Sequence, residues 1–400
     1  MKKVTFTELA RFLDQELLLR IIPFWLRHAV DQEHGGLLTC LDENGKILSF
    51  DKYLWSQTRA LWVFSTLARR TADPEHLTLA ESLFRFCNQH GRNARSEWVF
   101  QVSRDGHVIK DAESIYADGF AMLGLAAYIT LTGSSMAAQL LRETCHSVQE
   151  RLAIPGSYRT APYPLPAGMK THGISMLFSL AFWEAGLALE DSILQAEAVN
   201  LALDILEHFV SDQDQAILEF LDLDNRPVPG TMGTCCIPGH AIESMWSLIR
   251  IFRTQGQKEQ VARCAEILRW HLEKGWDEEY GGIFLAIDLA GQQPYWPFAE
   301  YKPWWPAVES MYALLSAYAE TRQPWCLSWY EKVHNYAFTH YPVKPQGEWH
   351  NRLDRTGKPI ETVIALPVKD PFHLPRALMS AVEALVSLAD EPQTLNLVID

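Results

Sequence analysis

Apolar residues recur every three or four positions over twelve stretches of the chain, which is the spacing of an amphipathic α-helix. In the first stretch, Phe6, Leu9, Leu13, Leu17 and Ile21 follow this spacing. Gly, Pro and Asn interrupt the pattern between stretches, as expected where helices end. The predicted helices cover residues 6–21, 54–69, 76–87, 115–131, 137–152, 175–189, 193–210, 240–254, 258–273, 304–320, 325–339 and 373–389.

A second pattern recurs between these helices: a short β-rich segment that runs into a turn containing Asp, Asn or Gly, as in a β-hairpin. Five copies begin at Asp31, Ser96, Asp214, Asp277 and Gln346. Their turns fall near Gly45, Gly106, Asn225, Gly291 and Gly357, at separations of 61, 119, 66 and 66 residues. Because one separation is about twice the others, we expect a sixth, degenerate copy near residues 156–166.

The order helix, hairpin, helix therefore repeats six times, and a period of this length indicates a repeat architecture. Twelve helices in six pairs could stack as an open solenoid or close into a ring. Solenoids keep similar repeats and polar caps, whereas these repeats have diverged while their number is six. We therefore predict an all-α fold, an (α/α)6 barrel (toroid) of twelve helices with short β-hairpins at one end, and residues 1–400 as a single domain.

Composition and charge exclude several classes of partner. Hydrophobic residues make up 48% of the chain, and the net charge is −14 with no long basic run, which argues against nucleic acid and anionic membranes. The apolar start of the chain carries scattered charges, so it predicts an amphipathic helix and not a signal peptide. No window has the ~18 uninterrupted apolar residues of a membrane span. Seven cysteines without metal-ligand spacing predict reduced thiols and a cytoplasmic protein.

In a closed barrel the start of every even-numbered helix shares one end with the hairpins, so residues at these six junctions would line one pocket. Polar and aromatic residues stand at each junction. They are Trp55 and Arg59 at the first, Tyr116 and Asp118 at the second, Lys170 and His172 at the third, His240 and Glu243 at the fourth, Lys302, Trp305 and Glu309 at the fifth, and His373 and Arg376 at the sixth.

The fourth junction carries the most information, because His240 and Glu243 share a helix face and a Glu beside a His orients the imidazole and tunes its proton affinity. Tryptophans offer sugar rings an apolar stacking face. Structural alternatives exist at every junction. An arginine can stack for packing, an aspartate can favour the start of a helix, a lone histidine can cap, and tryptophans can fill a core.

The chain resembles the N-acylglucosamine 2-epimerase family, which also holds cellobiose 2-epimerases and aldose–ketose isomerases. The resemblance covers nearly the whole sequence and is most specific in HGGLLTCLDENGKILSFDKYLWSQTRALWVFS, PGHAIESMW, DEEYGGIFLAIDLAG, YKPWWPAVESM, GEWHNRLDRTGK and FHLPRALM. It implies an (α/α)6 barrel and an isomerase that interconverts N-acetyl-D-glucosamine and N-acetyl-D-mannosamine without a cofactor or metal, by moving the proton on carbon 2 through an enediolate.

The same resemblance implies roles for individual residues. His240 and His373 would be the two acid/base residues, one on each face of carbon 2, and Arg59 would stabilise the developing oxyanion. Glu243 and Glu309 would complete the catalytic group by positioning the histidines or binding hydroxyls, and Trp305 would stack on the sugar. The remaining junction residues would bind substrate.

Two departures from the acylglucosamine branch leave the sugar open. His172 stands where that branch has a small apolar residue, and Asp370–Pro371 replace an expected Gly–Cys pair. The alternative functions are an epimerase or aldose–ketose isomerase for mannose, glucose or cellobiose, a glycoside hydrolase of the same fold, and a non-catalytic sugar- or protein-binding module. Some relatives are activated by a nucleotide, for which no motif is visible here, and exposed aromatic helices make a homodimer plausible.

Overall fold

The computed structural model describes residues 1–360 and 370–399, and within these ranges the helices follow the predicted order. Helix α1 consists of Phe6–Glu16, a π-helical turn Leu17–Ile21 and a further segment Ile22–His28. The others are α2 (Leu54–Thr71), α3 (Pro74–His90), α4 (Ile115–Thr132), α5 (Ser135–Leu152), α6 (His172–Ala188), α7 (Ser192–Asp204, continued by π-helical Ile205–Phe209), α8 (Pro238–Thr254), α9 (Lys258–Gly275), α10 (Trp304–Thr321), α11 (Pro324–His340) and α12 (His373–Ser387).

Side-chain hydrogen bonds explain where several helices begin. Asp73, Ser134 and Asp191 accept hydrogen bonds from the first turns of α3, α5 and α7, as N-cap residues do. α1 runs to His28, beyond the predicted end at residue 21. Pro23 falls in the first turn after the π-helical stretch, where the N–H that proline lacks would be needed least for helical hydrogen bonds.

The helices form two concentric rings. The even-numbered helices pack side by side as the inner ring, and each odd-numbered helix from α3 to α11 packs outside the even-numbered helix before it. α1 packs against α12, which brings the last repeat back to the first. The predicted (α/α)6 barrel is thereby confirmed.

Two of the inner helices, α4 and α6, are apolar nearly all round, as helices covered on every side are. α4 is long and apolar enough to cross a membrane by length and composition, but two thirds of it (67%) is buried inside the protein. Its apolar surface serves packing between α2 and α6. Most of the buried hydrophobic residues form one large core that runs from Val4 to Leu397, and two small clusters lie apart from it.

Short strands occupy the end of the barrel at which the even-numbered helices begin. They are β2 (Lys52–Tyr53), β3 (Gln101–Val102), β4 (Val108–Lys110), β5 (Met169–Thr171), β6 (Val210–Ser211), β7 (Ala216–Ile217), β8 (Phe220–Asp222), β9 (Cys235–Cys236), β10 (Ile287–Asp288), β11 (Lys302–Pro303) and β12 (Arg352–Leu353). β1 (Lys2–Thr5) and β13 (Thr394–Leu397) lie at the chain ends and pair with each other.

The strands mostly join neighbouring repeats. β2 pairs with β3, β5 with β8, β9 with β10 and β11 with β12, all antiparallel, while β3–β4 and β6–β7 pair within one segment. The expectation of a sixth hairpin at residues 156–166 is wrong. This segment forms successive turns, and its link to the second repeat is a bridge between Thr160 and Ser114. Pairing between repeats fixes the hairpins relative to one another and thus positions the side chains at the inner helix starts.

Candidate active site

A cavity of about 580 Å³ opens at the hairpin end of the barrel, where the inner helices begin. Seven of the predicted residues line it: Trp55, Arg59, Tyr116, His240, Glu243, Trp305 and His373. A second cavity of about 700 Å³ lies outside the inner ring, between α1 and α3. Because the junctions converge on the first cavity and not on the second, the first is the candidate site.

His240, in the first turn of α8, is held by a buried carboxylate. Its Nδ1 lies 3.1 Å from Oε2 of Glu219. A carboxylate only accepts hydrogen bonds, so Nδ1–H donates and Nε2 is left as the basic atom. Burial alone would lower the pKa of His240, but the charge of Glu219 outweighs burial and raises it. His240 is therefore oriented by Glu219, and Glu243, which the helical spacing singled out, is one of the cavity-lining residues instead.

Glu219 precedes β8 and is itself fixed from several sides. Thr171 Oγ1 donates to its Oε1 at 2.9 Å, and His172 Nδ1 lies 3.9 Å from its Oε2. Burial alone would raise the pKa of Glu219, but His240 and His172 hold it at about 2. His172 is buried behind this carboxylate, with its Nε2 2.7 Å from Ser244 Oγ, and it does not line the cavity.

His373, the first residue of α12, has a second buried carboxylate of its own. Its Nδ1 lies 2.7 Å from Oε1 of Glu309, whose Oε2 accepts a hydrogen bond of 2.8 Å from Trp246 Nε1. Arg376, one turn after His373, donates to both oxygens of Glu309. Burial would raise the pKa of Glu309, but Arg376 and His373 hold it at about 2. Glu309 and Arg376 thus act behind His373 and not in the cavity.

The indole of Trp305 lies beside both histidines. Its ring centre is 5.6 Å from that of His240 and 5.7 Å from that of His373. The approach depends on Gly239, because a Cβ there would stand 2.4 Å from the Trp305 ring. The Gly before His240 in the sequence PGHAIESMW is therefore a packing requirement of the site.

Arg59 enters the cavity from α2 and is paired. Its NH1 lies 3.1 Å from Oδ2 of Asp370, which also accepts from Ser56 Oγ at 3.1 Å. The guanidinium carbon sits 3.7 Å from the centre of the Phe120 ring. Nε of Arg59 is buried and has no hydrogen-bond partner among the described residues.

Three more of the predicted substrate-binding residues lie away from the cavity. Asp118 is buried against Arg151, at 2.6 Å from NH2, and burial raises its pKa to about 6 although Arg151 opposes this. Lys170 bonds Asp204 at 3.3 Å, and Lys302 is fully buried on Asp277 at 2.8 Å. These side chains connect repeats, so we assign them no contact with a ligand.

Several cavity residues were not predicted from the sequence as site residues. Glu219, Asp370, Asn351, Arg352 and Trp296 lie in loops or short strands, where no periodic pattern marks them. The signal for Glu219 was an acidic residue inside the apolar run AILEFL, which is costly to bury without a partner.

Two clusters in the described part of the chain have the composition of metal ligands. His172, Glu219 and His240 form one, and Glu243, Glu309 and His373 the other, with ligand atoms within 4.8 Å of one another. In both clusters a histidine and a carboxylate are already joined by a hydrogen bond. The donor set fits an acid–base site without a metal, and the absence of a metal or cofactor stays a prediction.

Two carboxylate-bound histidines beside one indole, inside an (α/α)6 barrel, define an acid–base enzyme of the (α/α)6-barrel class. Residues 36–377 match the model of the N-acylglucosamine 2-epimerase (GlcNAc 2-epimerase) family, and the chain belongs to this family. It is 30% identical to N-acylglucosamine 2-epimerase of Mus musculus, covering 96% of this chain and 94% of that protein.

Two further comparisons agree. N-acylglucosamine 2-epimerase of Bos taurus is 31% identical over 92% of this chain and 89% of that protein. The structure of cellobiose 2-epimerase from Spirochaeta thermophila superposes with a TM-score of 0.83 at 21% identity, covering 96% of this chain and 98% of that chain. The family and the fold expected from the sequence are both confirmed.

Proposed function

We propose that this protein is an isomerase that interconverts N-acetyl-D-glucosamine and N-acetyl-D-mannosamine by removing the proton from carbon 2 and returning it to the opposite face. The observation that carries this proposal is the pair of histidines, each bound through Nδ1 to its own buried carboxylate and both lining one cavity. Relatives at 30% and 31% identity that bear the name N-acylglucosamine 2-epimerase support the choice of sugar.

Inversion at a carbon needs one base and one acid on opposite faces. With Nδ1–H committed to a carboxylate, each histidine presents Nε2 to the cavity, and Nε2 can accept or donate a proton. In one direction His240 removes the proton from carbon 2 of the open-chain aldehyde and His373 delivers one to the other face. In the reverse direction the two roles exchange.

The intermediate between the two steps is an enolate, whose charge lies on the oxygen of carbon 1. Arg59 supplies preorganised positive charge in the cavity, which stabilises such an oxyanion. Trp305 offers an apolar face beside both histidines. Glu243 lines the cavity and can accept hydrogen bonds from sugar hydroxyls or from the amide N–H.

The test follows deuterium at carbon 2 by proton NMR in deuterated water, for each sugar separately. Wild-type protein should label both epimers and interconvert them. His240→Asn and His373→Asn should each reduce epimerisation by at least about 100-fold, the usual range for losing a general base. Each variant should still exchange carbon 2 of the one epimer whose proton faces the remaining histidine. His146→Asn, at an exposed histidine, serves as the matched control.

Other outcomes separate the alternatives. Loss of exchange from both epimers in either variant would contradict the two-base mechanism. A ketose product would identify an aldose–ketose isomerase, and the same labelling with mannose, glucose or cellobiose but not with N-acetylglucosamine would change the substrate. Cleavage without label would indicate a glycoside hydrolase. The geometry disfavours that last function, because Glu309 is held at a pKa of about 2 and cannot be a proton donor near neutral pH.

A cytoplasmic location, a homodimer and regulation by a nucleotide are further proposals. The seven cysteines are free and buried, which supports a reducing compartment. Light scattering after size-exclusion chromatography checks the homodimer. Assays with and without a nucleoside triphosphate check the effector.

A further inference from the structure

Arg352 is a cationic residue in the cavity that the proposed reaction does not use. It lies in β12, directly opposite Pro303 of β11 in the strand register, next to the tryptophans that begin α10. Both Arg352 and its neighbour Asn351 line the cavity. The hydrogen bond from Trp304 N to Asn351 O, 3.3 Å long, fixes the backbone of this segment against the start of α10.

The guanidinium of Arg352 has no anionic partner among the described residues. Arg59 in the same cavity pairs with Asp370, and Arg376 behind it pairs with Glu309. Arg352 instead lies 5.8 Å from the centre of the Tyr301 ring, with no ion pair to any residue that the structure describes. Burial lowers the pKa of Arg352, with Tyr163 and Tyr301 opposing, since a partly buried cation without a counter-charge is costly.

The surroundings of Arg352 are those of a ring-binding rim. Tyr163 and Trp296 both line the cavity, and their rings pack 5.0 Å apart. Phe220 packs parallel to Trp296 at 6.4 Å. This aromatic group belongs to loops and to the strand β8, whereas the two histidines stand at the starts of inner helices. A sugar with carbon 2 between the histidines would therefore direct its far end toward this rim.

We propose that Arg352 binds an anionic group, a phosphate or a carboxylate, on carbon 6 of the N-acylhexosamine. Carbon 6 is the position farthest along the chain from the reacting carbons 1 and 2. The planar guanidinium fits both anions through paired hydrogen bonds. This inference rests on the proposed function, and it makes the preferred substrate a charged derivative of the neutral sugar.

The experiment measures kcat/KM for carbon 2 exchange with N-acetylglucosamine, its 6-phosphate and its 6-carboxylate (N-acetylglucosaminuronate). Wild-type protein should prefer at least one charged sugar over the neutral one by about 10- to 100-fold, the size expected for charge-assisted paired hydrogen bonds. The two charged arms distinguish phosphate from carboxylate. Arg352→Met should bring the ratio of charged to neutral down to about one, and Arg352→Lys should retain part of it. The exposed Arg226→Met is the matched control and should keep the wild-type ratio.

Each result decides between the inference and the proposed function. Exchange of neutral N-acetylglucosamine with no preference for either charged sugar overturns the inference and leaves the proposed function standing. A preference that survives in Arg352→Met also overturns it. Exchange of none of the three sugars by wild-type protein overturns the proposed function, and the inference with it. Exchange of the charged sugars alone supports the inference and removes the neutral sugar from the proposed function.

Discussion

At the scale of single residues, the two histidines of the cavity are held in different ways. The carboxylate of Glu309 accepts hydrogen bonds from three side chains, those of His373, Arg376 and Trp246. Glu219 pairs with no arginine among the described residues, and its hydrogen-bond partner in the cavity is His240. Since the charge of Glu219 is what raises the pKa of His240, the proton affinity of this histidine can be changed through a residue that does not touch the reacting carbon.

Glu219→Gln should lower kcat by roughly 100- to 1,000-fold, because the imidazole loses its orientation and the charge that stabilises its protonated form. It should also move one limb of the pH–rate profile. The pKa of His240 falls toward that of an uncompensated buried imidazole, so the limb that titrates His240 shifts to lower pH. This is the acid limb in the direction in which His240 is the base, and the alkaline limb in the reverse direction.

The exposed Glu207→Gln on α7 is the control, and it should leave both profiles in place. A purely structural role for Glu219 would reduce activity without moving either limb. In that case the assignment of Glu219 as the positioning residue of His240 fails.

At the scale of elements, one arrangement of charges occurs twice. Asp31, which follows α1, binds Lys52 of β2 at 2.9 Å and Arg104 at 2.9 Å from the next repeat. Asp277, which follows α9, likewise binds Lys302 of β11 and Arg355 of the next repeat. Each lysine is fully buried and also donates to a backbone carbonyl oxygen. Lys52 donates to that of Arg104, and Lys302 donates to that of Arg355. These clusters join the first hairpin to the second and the fifth to the sixth.

Lys52→Met should lower the free energy of unfolding by about 3 kcal/mol at pH 7, the low end for breaking a buried ion pair, because Arg104 still faces Asp31. Burial alone would raise the pKa of Asp31, but Arg104 and Lys52 hold it well below its usual range. A depressed carboxyl pKa contributes stability above the unfolded pKa of about 4, and this contribution is lost as the pH falls further. The difference between variant and wild type should therefore narrow below about pH 4.

Urea unfolding followed by tryptophan fluorescence at pH 7 and pH 3.5 measures both effects, with the exposed Lys46→Met as control. Equal unfolding free energies for Lys52→Met and wild type at pH 7 would show that the cluster does not stabilise the hairpins.

The elements also show which parts of the fold and of the candidate site could be predicted from the sequence alone. The twelve helices were predictable because their apolar spacing is local and repeated. So were His240, His373 and Trp305, because they stand at helix starts. The partnership of Glu219 with His240 was not predictable, because it depends on a contact outside the periodic elements, the hydrogen bond from Glu219 N to Cys235 O just before α8. Lys302 was misplaced for the same reason: its partner Asp277 lies across a hairpin, and no local pattern indicates that it is buried.

At the scale of the whole molecule, the ring is closed at the end opposite the cavity. β1 lies before α1 and pairs along its length with β13, from Lys2 with Leu397 to Thr5 with Thr394. β13 also packs on α11, and directly after the strand Val398 N donates to Asn335 Oδ1 of α11 at 2.7 Å. α1 begins at this end, and the hairpins follow its other end. The β1–β13 pairing that closes the ring therefore lies the length of a helix away from the cavity.

Deleting residues 392–400 should therefore destabilise the protein more than it disturbs the site. The deletion uncovers Val4 and removes buried Leu395 and Leu397, each worth about 1.5–3 kcal/mol of hydrophobic burial. We expect the free energy of unfolding to fall by about 5 kcal/mol, while KM at low temperature changes less than about threefold. Urea unfolding and carbon 2 exchange at 10 °C or below measure the two effects. An unchanged unfolding free energy would mean that α1 and α12 hold the ring closed without the terminal strands. A large rise in KM with an intact fold would mean that closure and cavity are coupled through the inner helices.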